Sequence, residues 1–65
     1  MYSTEEIIKE LEREIKMRKE VFEKWVLQGR MKEHVKERRI GILEQILDDY
    51  RQKQKIEENK NSLFA

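Results

Sequence analysis

One glycine governs what this chain can fold into. There is no proline in its 65 residues and there are only two glycines. Gly29, in Gln28-Gly29-Arg30-Met31, is the strong break between two long helix-favouring stretches. Glycine adopts the left-handed backbone that ends a helix at no steric cost. Strands would need turn residues that this sequence does not supply. The chain therefore reads as one all-α domain, an antiparallel helical hairpin turning near Gly29. The expected helices span about 4–28 and 32–55, with the turn at about 28–31 and a frayed tail at 57–65.

The first helix announces its start. Ser3 can cap it, Glu6 three residues on completes a capping box, and Tyr2 with Ile7 is placed for a hydrophobic staple. Ile8, Leu11, Ile15, Phe22 and Trp25 then recur at helical spacing, with Ile7 and Val26 on the flanks. At ~100° per residue, Arg18 falls near the middle of that stripe. Glu12–Lys16 and Glu20–Lys24 are i,i+4 pairs of the favourable order on the opposite face. The second helix lacks a Ser, Thr or Asp start signal. Val35, Leu43, Ile46, Leu47 and Tyr50 share a face of it, edged by Ile40 and Ile42, with Arg39 in the middle and Arg38 well to one side. Gly41 lies mid-helix, where a bare backbone allows a neighbour to approach. Leu63-Phe64-Ala65 is a short apolar tail suited to docking.

Size and charge narrow the function. Two helices meeting along one seam leave the flanks of their stripes in water, and without cysteine no disulfide can compensate. Association with further copies of the chain is the expected route to stability. Charged residues make up 45% of the chain, yet the net charge is only +1, which gives no general attraction to nucleic acid or an anionic membrane. Neither an apolar signal core nor a membrane-spanning run is visible. A cytoplasmic location is expected, and the lack of cysteine fits it.

Catalytic residues are scarce. The hydroxyls Ser3, Thr4 and Ser62 lie near the ends, and Met31 occupies the position three before His34, so no Glu-x-x-His metal spacing exists. His34 reads as a solvated histidine. Neither an enzyme nor a cofactor is expected. The informative residues are the two seam arginines. A buried guanidinium requires a partner. The bland reading is internal pairing, Arg18 with Glu14 and Arg39 with an acid of a neighbour. The functional reading is an anion site, because guanidinium suits bidentate contact with phosphate and Phe22, Trp25 and Tyr50 can stack on a base. The candidate ligand-binding residues are Arg18, Arg39, Trp25, Phe22, Tyr50 and Arg38. The rival is nucleic-acid binding through Arg30, Lys32, Lys36, Arg38 and Arg39, in a region 29–56 that holds eight bases against five acids. Direct docking on another protein is a third reading.

The series Met17-Arg18-x-x-Val21-Phe22-x-x-Trp25-Val26-x-x-Gly29-Arg30-Met31, followed by Arg38-Arg39-Ile40 and Ile46-Leu47-x-Asp49-Tyr50, resembles a group of very small helical-hairpin proteins of tailed phages and prophages. The likeness spans about residues 10–51. Members commonly carry tyrosine at the position of Phe22 and begin the second helix with Thr or Ser, where this chain has Lys32-Glu33. The resemblance implies phage origin, hence residence in a host cytosol, more than it implies an activity. By architecture alone, oligomeric phage hairpins that sequester nucleotide immune signals are similar. The expectation is a homo-oligomer that binds a small phosphorylated or nucleotide-type ligand without turnover.

Overall fold

The computed structural model describes residues 1–64, with side chains through Glu58. Two helices form an antiparallel hairpin, α1 (Thr4–Leu27) and α2 (Glu33–Phe64). No strand occurs among the described residues.

The ends of α1 are built as its sequence dictates. Ser3 is the N-cap, and its hydroxyl accepts from the Glu6 N–H at 3.1 Å. Glu5 and Glu6 add negative charge at the positive end of the helix. Tyr2 remains 80% exposed, so no staple buries it. At the other end Gly29 has φ 74°. The Gly29 N–H donates to the Val26 carbonyl at 3.0 Å and the Arg30 N–H to the Trp25 carbonyl at 2.8 Å. This pair of bonds is a Schellman cap, which satisfies the last carbonyls of α1 and reverses the chain. Helix α2 begins with backbone bonds alone: the Lys32 carbonyl accepts from Val35 and Lys36 at 3.1 Å each. It ends at Phe64, beyond the expected end near Lys55. The docking expected of Leu63-Phe64-Ala65 concerns side chains outside the described residues.

The core is a single row. Ile8, Ile15 and Phe22 on α1 are buried at seven-residue intervals, and Ile40 and Leu47 on α2 repeat that spacing. Leu11, Met31, Leu43 and Tyr50 pack partly against them. Seven-residue recurrence is the signature of two helices meeting along a coiled-coil-like seam. Among the described residues no polar side chain is buried.

The arginines do not occupy that seam. Ile40, expected at the edge, is buried, while Arg18 and Arg39 are exposed on its flank. The apolar surface of each helix is wider than the strip its partner covers, so the middle of the pattern is not the middle of the contact. Cross-helix partners are Lys19–Glu44 at 3.9 Å and Glu12–Arg51 at 3.2 Å, with Thr4–Glu57 at 3.4 Å toward the open end. Glu12 thus pairs across the hairpin rather than with Lys16, and no Glu20–Lys24 bridge forms among the described residues. Gly41 has nothing within 4 Å of where a Cβ would lie, so it serves no close approach.

Candidate functional site

The two broad faces of the hairpin differ in chemistry. One carries the cross-helix ion pairs Lys19–Glu44 and Glu12–Arg51, on side chains about half exposed. Such solvated pairs contribute little stability each. The other face exposes Met17, Val21 and Trp25 from α1 and Ile42 and Ile46 from α2. The difference follows from periodicity: acids and bases at 12, 19, 44 and 51 lie to one side of the buried row, and apolar residues at 21, 25, 42 and 46 to the other.

On the apolar face, a shallow cleft of about 340 Å³ is lined by Glu14, Met17, Arg18, Val21, Phe22, Trp25 and Arg39. It brings together four of the six expected ligand-binding residues. The Phe22 and Trp25 rings lie with centroids 5.7 Å apart, tilted by 35°. The guanidinium carbon of Arg39 sits 4.9 Å from the Phe22 ring centroid, within cation–π range. Phe22, 4% exposed, forms the floor, and Trp25 stands at the rim at 36%.

The two arginines differ in their partners. Nε of Arg18 donates to Glu14 one turn earlier at 3.4 Å, the internal pairing anticipated for it. No salt bridge to Arg39 occurs among the described residues, so an aromatic ring rather than a carboxylate is its contact. Arg39 is therefore the cation of the cleft still open to an anion.

Tyr50 and Arg38 are not part of this cleft. Tyr50 packs partly against the core and lines a separate depression with Asp49 and Lys53. Arg38 is exposed and points away, because it is rotated by ~100° from Arg39 on the helix. The basic cluster expected at the turn is likewise dispersed. Lys36 is tied to Glu33 at 3.2 Å and half-buried at the seam, while Arg38 and Arg39 diverge from it. His34 is exposed, and no group of His, Cys, Asp and Glu is arranged to hold a metal among the described residues. No helix there is long and apolar enough to cross a membrane.

A larger cleft, about 760 Å³, which the periodicity alone does not reveal, runs along the N-terminal half of α1 beside Tyr2, Ile7 and Leu11. The only available signal was the flanking position of Ile7. No family model matches the chain, and no curated protein or solved structure matches it either.

Proposed function

We propose that this chain is a non-enzymatic binding protein that holds an anionic, ring-bearing ligand of the phosphorylated or nucleotide type, without turnover, on its Phe22–Trp25–Arg39 face. The observation that carries this reading is Arg39, poised over the Phe22 ring in a cleft rimmed by Trp25 and without a carboxylate partner among the described residues. A phosphate supplies the charge that Arg39 lacks, through charge-assisted hydrogen bonds. A nucleobase supplies a flat surface for Trp25. The nearby Glu14 already neutralises Arg18, so a single phosphate or diphosphate is better matched than a highly charged polymer. In a phage setting, the role proposed is sequestration of a nucleotide immune signal of the host.

The test is titration with pyrophosphate, ADP, ADP-ribose and cyclic dinucleotides, read by Trp25 fluorescence and calorimetry. Binding is expected for at least one nucleotide, with loss in Arg39→Met and retention of the helical circular dichroism signal. Heat release should return the nucleotide chemically unchanged. Recovery of a cleaved product would make the protein an enzyme. If no nucleotide binds and duplex DNA does at low salt, the nucleic-acid reading replaces this one.

A further inference from the structure

The apolar face also carries a charge pattern along α1. On α1 its outward stripe is Ile7, Leu11, Glu14, Arg18, Val21 and Trp25. This order is self-complementary about position 16: apolar, apolar, acid, base, apolar, apolar. Turned end for end, it places Ile7 against Trp25, Leu11 against Val21 and Glu14 against Arg18. On α2 the matching stripe turns about position 44, which places Ile42 against Ile46. In the hairpin, Glu44 lies beside Lys19. The two centres are thus three residues apart along the axis, about 4.5 Å and less than one helical turn. A single two-fold axis midway between them leaves each opposed pair staggered by about 4.5 Å, a span that long side chains such as Glu14 and Arg18 cover.

We propose that a second copy of this chain covers the apolar face, related by a two-fold axis that lays α1 antiparallel on α1 and α2 antiparallel on α2. The product is a four-helix bundle with the ion-paired faces outward. Three observations favour a second copy over an unrelated partner. The charges in the stripe complement themselves, acid to base, under exchange of the two chains. The residues left exposed on this face, among them Trp25, Val21, Ile42 and Ile46, are those a bundle core would bury. Over the 24 residues of α1, about 36 Å, the two-helix face is up to 18 Å wide, a footprint of about 650 Å² and near the roughly 800 Å² per partner that stable interfaces use. The N-terminal cleft at Tyr2, Ile7 and Leu11 then has an occupant, the partner subunit's Val21.

This assembly also completes the ligand cleft. The rotation brings Arg39 to within about two residues, ~3 Å, of the level of the partner subunit's Tyr50, which lies on the inner side of its own helix, whereas Asp49 is exposed at the outer edge. Tyr50, absent from the cleft of one chain, reaches it from the other. This last step rests on the ligand reading above; the dimer does not.

The test is sedimentation equilibrium of the full chain at micromolar concentration, with ADP titrated in parallel. Twice the 8.1 kDa chain mass is expected. Glu14→Arg, which sets like charges against each other in the stripe, should weaken association at least tenfold. The exchanged pair, Glu14→Arg with Arg18→Glu, should restore it, which separates interface from misfolding. Glu44→Lys on the ion-paired face should leave the mass at two chains. Tyr50→Leu should retain the dimer and weaken ADP about tenfold. A folded single chain, or a dimer indifferent to the charge variants, overturns the proposal. A dimer that obeys them but binds no nucleotide upholds the assembly and removes the ligand reading.

Discussion

The two glycines respond oppositely to the same substitution. At Gly29, φ of 74° lies in the left-handed region, and a Cβ would meet no atom within 4 Å. The cost of Gly29→Ala is therefore purely conformational, about 1–2 kcal/mol for an L-residue held left-handed. Gly41 is mid-helix, exposed, and equally free of neighbours. There alanine removes the entropic penalty of glycine and stabilises by about 0.8–1 kcal/mol. In a domain this small, 1 kcal/mol moves the melting temperature by about 4–8 °C. Gly29→Ala should melt about 4–16 °C lower than the parent and Gly41→Ala about 3–8 °C higher. Gly29→Asn should fall between parent and alanine variant, since asparagine tolerates the left-handed region. The assay is thermal unfolding by circular dichroism at 222 nm, at one fixed chain concentration because association would add to stability. Equal shifts at the two sites would refute the reasoning. A destabilising Gly41→Ala would show that something approaches that backbone after all.

Two further outcomes test the cap and the core. Ser3→Ala removes the acceptor for the Glu6 N–H and should cost about 1 kcal/mol, seen as a lower urea midpoint with unchanged slope. Phe22→Ala removes the most buried ring, the floor beneath Arg39, and should cost about 3–5 kcal/mol, enough to unfold much of the population at micromolar concentration.

The signals legible in the sequence were those that act within one turn of chain. Ser3 with Glu6 marked the start of α1, and Gly29 marked its end, because caps and turns depend on neighbours in sequence. Arg18 with Glu14 belongs to the same class. Arg39 does not. Val35, Ile42 and Ile46 on one side of α2 draw the apparent centre of its apolar pattern toward Arg39, whereas α1 covers the other side, where Ile40 and Leu47 lie. Periodicity gives the width of an apolar surface but not which part of it the partner helix takes. Cross-helix pairs such as Glu12–Arg51 depend on the register of the two helices, which no local signal encodes. Hence Phe22, Trp25, Arg18 and Arg39, which the pattern groups, line one cleft, while Tyr50, grouped with them by the same pattern, lines another in its own chain.

The cap at Gly29 also gives the folding of this hairpin a direction. Sequence separation between facing residues grows steadily from the turn, until Thr4 meets Glu57 across 53 positions. Closing the short loop carries the smallest entropic cost, and each layer beyond it is added beside one already formed. Phe22 and Ile40 can thus meet before Ile15 and Leu47, and Ile8 docks last. Such a chain zips from the turn outward and reopens from the far end first, so its slowest amide exchange belongs near the turn and its fastest near Thr4.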